Sequence, residues 1–365
     1  MASNLQIIIN GVDNATGTFA DVGSAMTGLE GKSNSLLSKG LGPLQSVLGT
    51  GLKAAAGLAA AGLGALGAGL ASSVSDAADF QQGMADIQAS MGASAEETDK
   101  LKRLILDLGI DPKLKVSATE AAAAIGQLGT AGVSIDDILK GTARSTVLLA
   151  NATGADFAQA ASIASDVSKL WAIDAGDLTH AVDGITAATV ASKFNINDYQ
   201  LALAQAGGVA STVGVSFDDF NTTIAAISPS FASGSDAGTS FKVFLQRLIP
   251  QSDKATDSMK ALGLITADGK NQFFDASGQM KNMDEIVGLL NHAFSGLTEE
   301  QKNQQLSIIF GTDAMRAAAA MAKMTKGDFD NLATTMGKTD AAESAKTRMD
   351  TLKGSLEILS GTFDT

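Results

Sequence analysis

Two pairs of adjacent acids, Asp136-Asp137 and Asp218-Asp219, come nearest to a hydrolytic centre in this chain, because paired carboxylates can divide acid and base roles between them. Each pair directly follows a serine that reads as a helix N-cap, and acids in a first helical turn are favoured by the helix dipole. Both pairs are therefore expected to be structural. His180 and His292 are the only histidines, and cysteine is absent. Thiolate and disulfide chemistry are excluded, and a metal site would have to rest mostly on carboxylates. No HExxH or calcium-loop spacing occurs. The expectation is a protein that is not an enzyme, with no catalytic residue, cofactor site or metal site.

Three glycine motifs imitate nucleotide-binding loops. Gly62-Leu63-Gly64-Ala65-Leu66-Gly67 matches GxGxxG, but no strand precedes it and it lies inside an Ala/Gly/Leu tract, where the match carries no phosphate-binding context. Gly31-Lys32-Ser33 and Gly337-Lys338-Thr339 end like a phosphate-binding P-loop. Met26 and Leu332 stand where its first glycine belongs, so neither segment qualifies.

The formal net charge is −13, and its distribution is uneven. Residues 1–75 balance Asp13, Asp21 and Glu30 against Lys32, Lys39 and Lys53, so the whole excess falls on residues 76–365. Tight phosphate binding needs clustered Lys and Arg, and sequence-specific nucleic-acid binding is not expected. Aromatic residues make up only 5% of the chain, with a single Trp171 and a single Tyr199. Much of the apolar content is Ala and Gly, which bury little area each. Such a core is expected to be thin and to draw stability from self-association or from neighbouring proteins. The first residues lack the basic start and apolar stretch of a secretory signal.

Leu5 to Asn10 reads as a short strand closed by Gly11. Ala54 to Val74 is an uncharged run of 21 residues, long enough as a helix to cross a bilayer. Leu63, Leu66, Leu70 and Val74 share a face there, whereas Gly57, Gly62, Gly64, Gly67 and Gly69 lower both hydropathy and helix propensity. Two readings stand: a small-residue helix packed against other copies or lining a proteinaceous tube, and a segment that enters a membrane at some stage. The positions assigned to such packing or membrane contact are Gly57, Leu58, Gly62, Leu63, Leu66, Gly67, Leu70 and Val74.

From Asp76 onward the pattern is a succession of capped amphipathic helices. Ser94 with Glu97 and Ser117 with Glu120 are spaced as capping boxes, so helices should start near Ala95 and Ala118. Leu101, Leu104, Ile105 and Leu108 form a buried stripe, and Pro112 prevents continuation. A helix opening near Asp156 places Phe157, Ala160, Ala161, Ala164, Val167, Ser168 and Trp171 on one face, with Trp171 as a core anchor. Gly132-Val133-Ser134-Ile135-Asp136-Asp137 returns as Gly214-Val215-Ser216-Phe217-Asp218-Asp219, 82 residues later. This is either an internal duplication or repeated turn chemistry. Between Leu264 and Met280, Asp268-Gly269 and Ser277-Gly278 flank Phe273 and Phe274, which predicts a small β-hairpin. Helices resume near Met283, Thr298 and Asp340.

The expected fold is mainly α: an array of short amphipathic helices with an N-terminal strand and one hairpin. The expected organisation is an N-terminal segment 1–42, an apolar helix 43–75, a helical core 76–263, a hairpin 264–282 and further core helices 283–365. The last residues stop within an amphipathic pattern that has no C-cap, as though the helix ran on beyond Thr365.

Several segments, read in order, resemble the core region of the TP901-type tape-measure proteins of tailed phages and prophages. SATEAAAAIGQLGTAGVSIDDIL (Ser117 to Leu139) resembles the family's helix, turn and acid-capped helix, and Ala152 to Ile185 is similar to the stretch that follows. SGSDAGTSFKVFLQRL (Ser233 to Leu248) resembles the family's signature turn, carried by Gly234, Ser235, Ala237, Gly238 and Thr239. IIFGTDAMRAAAAM (Ile308 to Met321) resembles a Phe-Gly helix start, here Phe310 and Gly311.

The resemblance implies a structural tail protein that determines tail length, acts in assembly inside the tail tube and is released during genome delivery. Implied partners are tail-assembly chaperones, the tail tube protein, tail tip or baseplate hub proteins and further copies of the chain, with host membrane contact on ejection. The implied location is the lumen of the virion tail, after synthesis in the host cytoplasm. The competing class is a membrane-active, pore-forming helical protein that inserts residues 54–74, and liposome leakage would separate the two.

Overall fold

The computed structural model describes residues 79–350. The strand expected at Leu5 to Asn10, the apolar run 54–74 with all its assigned packing positions, and the pattern past Asp350 lie outside the described residues.

Helix formation follows the caps. Helical residues 79–91 (α1) give way at Gly92 (φ 64°) to α2, Ala95–Gly109, and then α3, Ala118–Thr130. Ser94 and Ser117 each accept from the backbone amide three residues on, and Glu97 and Glu120 reach back to the cap amides at 2.9 Å. Leu101, Ile105 and Leu108 are buried, and α2 ends before Pro112.

The two copies of the six-residue pattern adopt one local structure. Gly132 (φ 81°) and Gly214 (φ 90°) take the left-handed conformation that glycine reaches without steric cost. Val133 and Val215 each donate to the carbonyl five residues back, and Ser134 and Ser216 accept from Asp137 and Asp219. The continuations differ. The first runs through one turn, Ile135–Asp137, into a π-helical segment, Ile138–Thr142, with Gly141 at φ 139°, and then into α4, Ala143–Thr153. After α5 (Phe157–Trp171), α6 (Leu178–Val190) and α7 (Ile196–Thr212), the second runs straight into α8, Phe217–Ile227. Next comes α9, Gly234–Arg247. In both halves the helix before the turn packs on the second helix after it, α3 on α5 and α7 on α9.

The remaining helices are α10 (Asp253–Ala261), α11 (Met283–Phe294), α12 (Glu299–Ala322), α13 (Lys326–Met336) and α14 (Ala341–Met349). α9 lies between α7 and α12 as a spine. α10 and α11 pack on α12, α13 on α11 and α8, and α14 returns to α4 and α6.

No strand forms among the described residues, and the hairpin expected at 264–280 is corrected. Both turn signals are used, but each closes its own small loop. Ile265 bridges Asn271 around Gly269 (φ 88°), and Phe274 bridges Met280 around Gly278 (φ 82°). Phe273 between them is fully buried. An anchored aromatic at that midpoint draws the chain into the core, and neither loop has the length for a ladder.

Part of the aromatic content forms one run of ring contacts. Trp171, Phe220, Phe241, Phe244 and Phe310 follow one another at centroid distances of 5.2, 6.2, 6.3 and 5.3 Å. These five rings run through the spine, where each contact adds to burial.

Candidate functional site

The Ser233–Gly238 turn opens α9 against the side of α7. Ser233 caps the helix by accepting from the Asp236 amide at 3.2 Å. The Gly234 amide donates to Asp198 Oδ1 of α7 at 3.0 Å, so a carboxylate of one helix caps another. Gly234 and Gly238, one turn apart, face α7 together. A methyl group on Gly234 would overlap the Asp198 carbonyl, and one on Gly238 would lie 2.6 Å from the Ala202 carbonyl oxygen. The two helices therefore meet backbone to backbone, a contact only glycine permits at both positions.

The opposite face of α9 turns to α12. Ala237 and Phe241 are fully buried, and Phe244 stacks on Phe310 with ring centroids 5.3 Å apart. Ser240, 1% exposed, donates from its hydroxyl to the Asp313 carbonyl (2.6 Å) and accepts from the Ala317 amide (3.3 Å). A continuous helix pairs those two backbone groups with each other. Gly311 interrupts α12 just before them with φ 70° and ψ 178°, a conformation essentially reserved for glycine. Thr239 Oγ1 lies 3.5 Å from Gln205 Oε1 of α7, and Ser235 is partly exposed. The arginine of α12, Arg316, covers the ring of Phe231 at 4.6 Å, closing the start of the turn from outside.

The structure thus joins two segments that are more than sixty residues apart in the sequence. Gly234, Ala237 and Gly238 on one side and Phe310 and Gly311 on the other belong to a single three-helix contact. Its chemistry is packing and backbone hydrogen bonding. Asp198, Ser240 and Arg316, which hold it, escaped the sequence reading. The one available signal was a serine at position 240 in the buried stripe of Ala237, Phe241 and Phe244.

The paired acids are engaged in structure. Asp137 and Asp219 sit at the third helical position, where the cap serines accept from their amides. Asp136 pairs with Lys140 at 2.5 Å, and Asp218 lies 3.3 Å from His180 Nε2. Asp219 also accepts from the Met283 amide at 3.1 Å, tying α8 to α11. Burial pushes its carboxyl above the usual range despite that hydrogen bond. Trp171 donates from its indole N–H to the Val215 carbonyl at 2.9 Å and contacts Phe217 and Phe220, as expected of a core anchor. Among the described residues, no group of three or more His, Asp or Glu side chains is placed to hold a metal ion. Among the same residues, no helix is long and apolar enough to cross a membrane.

Comparison with known proteins places the sequence in a family. The family described as phage-related minor tail protein matches residues 102–311, which contain the whole α7–α9 contact and the start of the α12 kink. The chain is 28% identical over 297 residues to the tape measure protein of Pneumococcus phage Dp-1, covering 80% of this chain and 25% of that protein. It is 25% identical over 293 residues to a probable tape measure protein of Escherichia phage P2, covering 78% of this chain and 35% of that protein. The chain therefore spans about a quarter to a third of the length of these relatives. No solved structure matches.

Proposed function

Because the chain belongs to the phage-related minor tail protein family, we propose that it is the folded core of a tape measure protein of the TP901 type. Such a core determines tail length, acts in assembly inside the tail tube and is released during genome delivery. The observation that carries this reading is similarity to two phage tape measure proteins over about four fifths of the chain. It is reinforced by the use of both signature segments in one helix contact. The core acts by shape and contact and catalyses no reaction.

The proposed partners are the tail tube protein, tail-assembly chaperones, tail tip or baseplate hub proteins and further copies of the chain. The location is the lumen of the virion tail, after synthesis in the host cytoplasm. The apolar tract 54–74 contacts other copies or tail proteins through its small residues and meets the host membrane only on ejection. Small residues suit such close contacts. The surface excess of acid leaves sequence-specific nucleic-acid recognition out of this role.

The test is deletion of residues 102–311 in frame within a phage that carries the gene, followed by electron microscopy of the particles. Tailless heads or tails of abnormal length are expected. Normal tails at normal yield would overturn the proposal.

A further inference from the structure

A pocket of about 630 Å3 opens between the end of α9, α10 and the two small loops that follow. Its apolar lining is Ile249, Pro250, Ile265 and Phe274. Ile249 is 56% exposed, and among the large apolar side chains of the described residues only Val190 is more so. Asn271 donates from Nδ2 to the Leu248 carbonyl at 2.8 Å and accepts at Oδ1 from the Phe273 amide at 3.0 Å. Because Phe273 is fully buried, these bonds fix the loop that carries Phe274 against the end of α9. The exposed Ile249 thus belongs to a formed pocket and not to a loose turn.

Two cations line the same pocket. Lys260 comes from α10 and Lys270 from the first loop. Both residues are exposed, and among the described residues neither takes part in a salt bridge. Asp275 is the one acid of the lining. Its Oδ1 already accepts from the Ser277 amide, the Ser277 hydroxyl and the Gln279 amide at 2.8, 2.7 and 2.9 Å. Two ammonium groups therefore stand against one carboxylate, in a chain whose net charge is −13.

An apolar floor between two unpaired lysines selects its occupant by chemistry. A phosphate or a nucleic-acid backbone would meet the lysines and leave Ile249 and Phe274 in water. An uncharged apolar segment would cover those side chains and desolvate two ammonium groups without a partner. A basic segment is repelled. A polypeptide segment that carries an apolar side chain between carboxylates satisfies both parts at once, with the charge complementarity that steers specific encounters. We propose that this pocket is a docking site for an acidic segment of another polypeptide, its apolar side chain seated on Ile249 and Phe274 and its carboxylates on Lys260 and Lys270. Binding here follows from the pocket's own groups and does not depend on the role proposed above.

The test titrates the full chain with terminally blocked pentapeptides by calorimetry. Asp-Asp-Leu-Asp-Asp carries both features, Asp-Asp-Ala-Asp-Asp lacks the large apolar side chain and Asn-Asn-Leu-Asn-Asn lacks the charges. The first is expected to bind saturably and at least about tenfold tighter than the Ala peptide, the scale of one buried aliphatic side chain. It should bind at least about fivefold tighter than the Asn peptide, the scale of an exposed ion pair, and should weaken as salt is raised. Ile249→Asp, at an exposed position, should weaken it at least about tenfold with the melting temperature unchanged. When Lys260→Glu is combined with Lys270→Glu the preference should invert, so that Lys-Lys-Leu-Lys-Lys binds in place of the acidic peptide, which no structural role of the lysines would produce. Equal binding of either control, no saturable binding, no effect of Ile249→Asp or no inversion would each overturn the proposal. Sedimentation that showed the chain pairing with its own copies, and losing that pairing in Ile249→Asp, would overturn it too by giving the pocket to a second copy.

Discussion

The hydroxyl of Ser240 on α9 donates to the main-chain carbonyl of Asp313 on α12 at 2.6 Å, across 73 residues of sequence. Because the same oxygen accepts from Ala317, a side chain of one helix stands in the hydrogen-bond ladder of another, a recognised cause of helix kinks. The kink and the α9 contact are therefore a single feature. Ser240→Ala should cost about 1 kcal/mol, the usual net worth of a buried hydrogen bond, and calorimetry should show a melting temperature lower by about 2–4 °C. An unchanged melting temperature would show that α12 closes its own ladder without help.

Gly238 and Gly208 make a matched pair of opposite sign. Gly238→Ala drives a methyl group into the Ala202 backbone, and about 2–3 kcal/mol of destabilisation is expected from overpacking. Gly208 is helical, exposed and has nothing within 4 Å of an added methyl. Gly208→Ala should stabilise by about 0.5–1 kcal/mol through helix propensity. Urea unfolding of the two variants side by side measures both, and effects of the same sign would refute the close approach of α7 and α9.

Gly311 tests the kink itself. No atom crowds the position, so the cost of Gly311→Ala is conformational, about 1–3 kcal/mol for a residue forced into that backbone region. The same measurement should show no change in denaturant slope, since the exposed surface is unaltered. A neutral substitution would mean that α12 relaxes into a straight helix at no cost.

Stability should respond to pH in two opposite ways. Burial raises the carboxyls of Asp219, Asp183 and Asp166, so the folded state binds their protons more readily than the unfolded state. Their penalty is full at neutral pH and is relieved as pH falls through their raised values. The Ser94 hydroxyl beside Glu97, the Thr325 amide beside Asp328 and the Ser277 hydroxyl beside Asp275 hold those carboxyls below their ordinary range. The stability they contribute is present above the unfolded value of about 4 and is lost as pH falls through their lowered values. The melting temperature should rise from pH 7 towards about pH 5 and then fall below about pH 4. In Asp219→Asn the rise should shrink. A steady fall from pH 7 downward would contradict the burial of these acids.

Much of this was legible in the sequence because capping is local. A serine and the acid three residues later determine a helix start wherever the helix goes, and Ser94, Ser117, Ser134 and Ser216 all behave so. The same holds for the glycines that end α3 and α7 and for the buried stripe of α2. The acid pairs could be assigned to helix starts for that reason.

The tertiary structure alone decided what depends on which helices meet. Gly234 and Gly238 look like turn residues until α7 is laid against them, and Asp198 becomes a cap only across 36 residues. Ser240 lies in an apolar stripe where a hydroxyl has no local reason, and its partners belong to a helix that begins far downstream. Phe273 carried a strand-like signal, but its burial split the expected hairpin into two loops. Periodicity and caps specify elements within one or two turns of chain, whereas burial, close approach and unpaired donors such as Asn221 Nδ2 exist only between elements.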